Sequence, residues 1–391
     1  MSTIINFEDT AIAFASKSND ELKNAYNLFR LMNNTTLVSW GSWVTEWAFK
    51  IGMPISAPVR WTVFEQFCGG RTIEECLGPI EKLAEFGVET ILDYGVEAKQ
   101  DEEDLESTAR FLANNLKLAA EEPNINIVSA KITGLIRFQL LKKVSGGEDL
   151  SQNEKEEWER GQKRVRFVSK AAFDTDIQLY YDAEESWIQG AVDDLVQEMA
   201  QDYNKEKPII VNTVQLYRKD RLEFLKTSHQ HALDNGYTLA VKIVRGAYME
   251  KERERAGQNR YESPIQENKG DTDRDYDAAL KYCVDNIETI SFCNATHNQQ
   301  SCEYLIQLLE EKGLDTNHPN ICNAQLFGMS DHLSFNMAKA GFRVFKYLPY
   351  GPVKEVVPYL IRRAKENSSV NGQMGRELSL LHTEMTRRGI L

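Results

Sequence analysis

The sequence lacks most of the short signatures that identify an enzyme at a glance. Its six cysteines, Cys68, Cys76, Cys283, Cys293, Cys302 and Cys322, form no C-x-x-C pair. Scattered through apolar and helical stretches, they read as buried free thiols of a reducing compartment rather than a disulfide framework. The six histidines show no H-E-x-x-H or other ligand spacing, so no metal site is expected. No nucleophile elbow or Walker loop occurs, and no G-x-G-x-x-G follows the first β-rich run. Excess positive charge is also missing. The formal net charge is −13, which excludes sequence-independent binding to nucleic acid. No apolar run approaches the length of a membrane span. The start, MSTIINFEDTAIAFASKSNDELK, has no basic stretch before an apolar core. Glu8 and Asp9 are unlike a mitochondrial transit peptide. A cytoplasmic protein, soluble or peripheral at the inner face of a membrane, is the expectation.

What is present is an ordinary globular balance. Of 391 residues, 42% are hydrophobic and 27% charged, enough for a sizeable core in one large domain with extensions. Residues 1–86 read as a helical region. Asp20 to Leu31 has apolar residues at helical spacing, with Ser18, Asn19 and Asp20 as candidate caps. Trp40, Trp43 and Trp47 fall on one side of a helical pattern, as a packing seam or a membrane-facing aromatic patch.

From residue 87 to 366 the pattern changes to β-rich runs alternating with amphipathic segments. Strands are expected near Glu89–Tyr94, Asn126–Thr133, Ile177–Asp182, Pro208–Leu216, Thr238–Arg245, Thr289–Ala295, Asn320–Leu326 and Phe342–Tyr347. Helical patterns separate them, and Val353–Glu366 follows the last strand. Eight such units indicate an α/β protein with a (βα)8 TIM-like barrel; a doubly wound open sheet is the alternative. Met249 to Arg274, dense in charge, reads as a long loop after the fifth strand, either a lid or a solvated insertion. Residues 367–391 read as a polar linker and an amphipathic helix.

In such a barrel the chemistry collects at the C-terminal ends of the strands. Those ends offer Tyr94 and Glu97, Lys131, Asp182, Gln215, then Lys242, Arg245 and Tyr248, and then Thr296, His297 and Asn298, with Leu326 and Tyr347 last. Lys131 and Lys242 lie inside apolar strands, where a cation must be paired or face a polar site. A structural salt bridge accounts for one; two lysines with Asp182 favour a ligand site. Arg362 and Arg363, one turn after Tyr359, have the fork geometry for a carboxylate or phosphate. Their directions differ by about 100° around a helix, so both reach one ligand only near the helix end. Gly246-Ala247 permits close approach to the backbone. His297 reads as a core or capping histidine as readily as a functional one.

Taken together, the segments FEQFCGG, AKITGL, YYDAEE, VNTVQLYRKD, VKIVRGAYMEKE, ATHN, QLFGMSDH and above all FKYLPYGPVKEVVPYLIRRAKENSS resemble the proline dehydrogenase (proline oxidase) family, particularly its monofunctional, mitochondrial-type branch. The resemblance runs from about Phe7 to Ser369. It implies a distorted barrel that holds FAD without a Rossmann domain. It implies oxidation of L-proline to 1-pyrroline-5-carboxylate, the first step of proline catabolism to glutamate, with electrons passed to a quinone.

By position, the resemblance makes Asp182 and Lys242 the active-site pair. Lys131, Tyr347, Tyr359, Arg362, Arg363 and Leu326 would contact the substrate, and Glu97 would pair with Arg362 as a gate. Ala183, Gln215, Val244, Arg245, Gly246, Ala247, Tyr248, Thr296, His297 and Asn298 would contact FAD. Lys242 stands where many bacterial members carry arginine, and Met249 where bifunctional bacterial members carry tryptophan. Hydroxyproline dehydrogenase on the same fold is a second enzyme reading, opposed by the bulk of Tyr347. A non-catalytic barrel that binds an anion and a lyase with a Schiff-base lysine are the readings from other classes.

Overall fold

The computed structural model describes residues 5–32, 63–94, 100–353, 356 and 373–391. Its eight strands close into a barrel in chain order: β1 Val88–Tyr94, β2 Ile125–Ala130, β3 Gln178–Tyr181, β4 Ile210–Gln215, β5 Leu239–Val244, β6 Ile290–Ala295, β7 Ile321–Leu326 and β8 Val344–Tyr350. The registered pairs β1–β8, β2–β3, β3–β4, β4–β5 and β5–β6 are all parallel. Parallel strands covered on both faces become continuous apolar runs. Accordingly, every residue of β4 and β8 is buried. All eight expected strands are present, shifted by a few residues at their ends. β2 stops at Ala130, and Lys131 leads into a 3-10 turn at Ile132–Gly134. β8 continues past Tyr347 through Pro349, whose carbonyl accepts from the Gly69 amide at 2.8 Å.

The chain forms two compact units, one of Met1–Val96 with Ala324–Leu391 and the other Glu97–Asn323. In the first, α1 (Asn19–Met32) and α2 (Ile73–Ala84) precede β1. Helix α1 starts where Ser18 and Glu21 cap each other: Glu21 Oε2 accepts from the Ser18 amide at 2.7 Å and Ser18 Oγ accepts from the Glu21 amide at 3.2 Å. Phe14, Leu22, Ala25, Phe29 and Phe67 are buried with Leu381 and Met385 of the C-terminal helix in one apolar cluster. The expected C-terminal amphipathic helix is therefore a core element of this unit. Trp40, Trp43 and Trp47 lie outside the described residues.

In the second unit the helices return the chain between strands: α3 (Glu102–Glu121), α4 (Phe138–Ser145), α5 (Gln152–Thr175), α6 (Ser186–Tyr203), α7 (Arg221–Asn235), α8 (Met249–Asn259), α9 (Lys269–Asp285) and α10 (Gln299–Lys312). The stretch expected as a long loop after β5 is thus largely helical. Helix α8 buries only Glu252 and Ala256, four residues apart on one face. Glu252 accepts from both the Ser186 amide and the Ser186 hydroxyl, each at 2.6 Å, so it caps the start of α6.

The first unit also holds α11 (Asp331–Lys339), between β7 and β8, and α12 (Gln373–Arg387). Helix α12 is fastened by Arg388, which donates to the carbonyls of Phe14 at 2.9 Å and Lys17 at 2.7 Å.

Candidate active site

Three strand ends of the second unit converge on one carboxylate. Strand β3 delivers Asp182, whose amide donates to the Ala130 carbonyl at 2.9 Å and so continues the β2–β3 ladder. The Lys242 ammonium, pointing from β5, donates to Asp182 Oδ1. The Lys131 ammonium, just beyond β2, stands 3.6 Å from Asp182 Oδ2. Lys242 is only 5% exposed, and its nitrogen lies 5.8 Å from the centre of the Tyr180 ring. A buried cation is costly unless a charged partner and hydrogen bonds compensate; Asp182 is that partner. The two intrastrand lysines of the sequence are therefore members of one charged triad.

Two residues further on, Glu184 is buried and accepts from the Thr133 hydroxyl at 2.7 Å. Burial raises its carboxyl to about 7, reinforced by Glu185 and Asp182 and opposed by Lys131 and the Thr133 hydrogen bond. Gln215, the last residue of β4, donates to the Glu184 carbonyl at 3.0 Å. The sequence reading named Asp182, Ala183 and Gln215 but passed over Glu184. Its only signal is a second acid in YYDAEES at a strand end.

The end of β5 forms a second cluster. The Arg245 guanidinium donates to Asp273 Oδ1 at 2.7 Å, to the Thr296 hydroxyl at 2.8 Å and to the Ser301 hydroxyl at 3.0 Å, and lies over the Tyr276 ring at 4.2 Å. Thr296 also accepts from the Asn298 amide at 3.1 Å, while the Asn298 side chain caps α10 through the Ser301 amide at 3.3 Å. His297 is half-buried between them. Gly246 has φ +132°, and a Cβ there would lie 2.4 Å from the Tyr217 ring. Only glycine fits both the conformation and the space. Gly246 and Ala247 are exposed, Val244 and Tyr248 half-exposed. The expected cofactor contacts from two separate strand ends are thus neighbours.

In the first unit, Leu326 ends β7 half-buried and Tyr347 is buried on β8. The Phe327 amide donates to the Tyr347 carbonyl at 2.9 Å, which sets the residue after Leu326 beside Tyr347. Glu97, Tyr359, Arg362 and Arg363 lie outside the described residues. Among the described residues, no group of three or more His, Cys, Asp or Glu side chains could hold a metal. None of the described helices is long and apolar enough to cross a membrane.

The family model for proline dehydrogenase matches residues 76–376. The chain belongs to the proline dehydrogenase family. Proline dehydrogenase 1, mitochondrial, of Dictyostelium discoideum is 30% identical over 97% of this chain and 74% of its own length. The hydroxyproline dehydrogenase of Xenopus laevis is 29% identical over 98% of this chain and 90% of its own. Among solved structures, proline utilization A from Bdellovibrio bacteriovorus, inactivated by N-propargylglycine, superposes with a TM-score of 0.74 at 19% identity. That match covers 95% of this chain but only 40% of the larger protein, and it corroborates the proline dehydrogenase barrel as a fold.

Proposed function

We propose that this protein oxidises L-proline to 1-pyrroline-5-carboxylate with bound FAD and passes the electrons to a quinone. It would thereby catalyse the first step of proline catabolism to glutamate. The observation that carries the reading is the Lys131–Asp182–Lys242 triad at the strand ends of a proline dehydrogenase barrel.

The residues around β5 fit the cofactor. Gly246 and Ala247 expose backbone without bulk, Arg245 supplies a half-buried cation, and α10 begins at Asn298 with the positive end of its dipole. Arg245, Gly246, Ala247, Thr296, His297 and Asn298 would hold FAD there, with Gln215, Val244, Tyr248 and Ala183 completing the contacts. FAD, when bound, would accept the hydride equivalent that leaves ring C5.

The chain's own residues would do the binding and orienting. Arg362 and Arg363 would take the carboxylate of the zwitterion in charge-assisted hydrogen bonds. Leu326, Tyr347 and Tyr359 would enclose the apolar ring, and Glu97 would pair with Arg362 over the bound substrate. Asp182 would hold the ammonium groups of Lys131 and Lys242 in fixed places, so that no charge has to reorganise as the reaction proceeds. A quinone acceptor calls for peripheral contact with a membrane, which requires no spanning helix.

Hydroxyproline oxidation is the second reading, supported by the likeness to the Xenopus hydroxyproline dehydrogenase over nearly the whole chain. The visible spectrum and product assay of the purified protein separate the readings. A yellow flavoprotein that converts L-proline much faster than trans-4-hydroxy-L-proline supports the first. The reverse preference supports the second, and a colourless protein without activity overturns both.

A further inference from the structure

Lys346 is the most deeply buried lysine described, 1% exposed in the middle of β8. A lysine there leaves water entirely and needs strong partners. It has three. Its ammonium pairs with Asp331 Oδ1 at 2.8 Å. It donates to the Met329 carbonyl, and a longer contact of 3.4 Å reaches the Leu326 carbonyl. The two carbonyls are the ends of the turn that leaves β7. Asp331 starts α11 directly after that turn, and its second oxygen lies 3.3 Å from the Lys17 ammonium. Burial alone would raise the Asp331 carboxyl, but Lys346 and Lys17 outweigh it and hold it below the usual range.

The same turn is fixed elsewhere along its length. The Gln66 amide donates to the Gly328 carbonyl at 2.7 Å. Gly328, at φ +77°, packs so closely that a Cβ would lie 1.9 Å from the Gln66 carbonyl oxygen. Ser330, at φ 50°, donates its amide to Glu377 Oε1 at 2.7 Å. The Ser334 hydroxyl bonds Gln325 Oε1 at 2.8 Å, on the other side of Leu326. Strand β8 thus carries two adjacent residues with opposite directions of action. Tyr347 would meet the substrate ring, while Lys346 faces the backbone that carries the other ring contact, Leu326.

We propose that Lys346 is a positioning residue for substrate recognition: it anchors the Leu326–Asp331 turn and so fixes where Leu326 meets the proline ring. The inference rests on the reading of Leu326 as a ring contact. A positioning residue acts through another residue, and this is measurable as non-additivity.

The test is a cycle of Leu326→Ala, Lys346→Met and the double variant, all as flavoproteins, read as kcat and KM for L-proline. Lys346→Met is expected to lower kcat/KM at least roughly tenfold, mainly through KM, with kcat within about threefold. The double variant is expected to match Leu326→Ala alone. Losses that multiply, or an unchanged kcat/KM for Lys346→Met, overturn the inference. An unchanged kcat/KM for Leu326→Ala overturns the reading beneath it, and the inference with it. Flavin content and thermal melting report folding. If Lys346→Met does not fold, Asp331→Asn replaces it in the same cycle, with the same expected non-additivity and the same overturning results.

Discussion

Asp182 and Lys242 are an ion pair formed over an intervening strand. Asp182 follows β3, Lys242 belongs to β5, and Thr213 of β4 sits in register with Lys242 between them. The Thr213 hydroxyl donates to the Tyr181 carbonyl at 2.8 Å, which ties this intervening strand to β3 directly before Asp182.

Removing that carboxylate leaves a buried lysine without its partner. Asp182→Ala is therefore expected to lower the melting temperature, with a cost on the order of 3–5 kcal/mol for breaking a buried ion pair by removing one member. It is also expected to slow reduction of the flavin by L-proline in stopped-flow measurements. Asp182→Asn, which keeps the shape, should lose less stability. Wild-type reduction rates in Asp182→Ala would make the residue purely structural.

Glu184 makes stability depend on pH in a defined direction. Its carboxyl rises from 4.5 to about 7 in the folded protein, first through burial. Between those values the folded state holds a proton that the unfolded chain has released. The stabilisation is complete below pH 4.5 and is lost as pH rises through 7. A shift of this size corresponds to roughly 3 kcal/mol. Glu184→Gln cannot ionise, so its melting temperature should match wild type near pH 4.5 and exceed it increasingly up to pH 8. A constant difference at all pH values would show that Glu184 does not titrate in this window.

Arg362 and Arg363 are proposed to hold the carboxylate of the substrate. Arg362→Ala and Arg363→Ala should each retain FAD while raising KM for L-proline, with a loss of about 1.5–3 kcal/mol per charge-assisted contact. Near-normal KM values in both variants would remove the pair from the substrate site.

Tyr347 is proposed to set specificity. It ends the expected β8 strand and is buried beside the Leu326 turn. Tyr347→Ser should make room for a ring hydroxyl and remove contacts to proline. One pocket contact is worth roughly 1–3 kcal/mol, so the preference between L-proline and trans-4-hydroxy-L-proline should move by about 10- to 200-fold. An unchanged ratio of kcat/KM would mean that the side chain points elsewhere.

The barrel was legible because its strands are short β-rich runs, buried along most of their length. Runs such as LAVKIV and IVNTVQ stand out against the amphipathic helices that separate them. The triad was legible for the opposite reason, since Lys131 and Lys242 break otherwise apolar runs. Helix α8 was not. MEKERERAGQN is rich in helix formers but has no apolar stripe, and it docks through the Glu252 cap on Ser186, a contact that hydrophobic periodicity cannot reveal. The true end of β8 was hidden by Pro349, which lacks the amide donor and so argues against a strand interior, although its carbonyl still accepts from the Gly69 amide. Lys346 escaped notice as well, because its partners are backbone carbonyls and an aspartate that only the fold brings near.

The barrel is proposed to deliver proline to a flavin. Anaerobic mixing of the purified protein with L-proline tests it most directly. The visible band of the oxidised flavin should bleach, and about one equivalent of 1-pyrroline-5-carboxylate should form per flavin before any quinone is added. A protein that carries flavin whose band does not change with L-proline, or one that carries no flavin, would contradict the account.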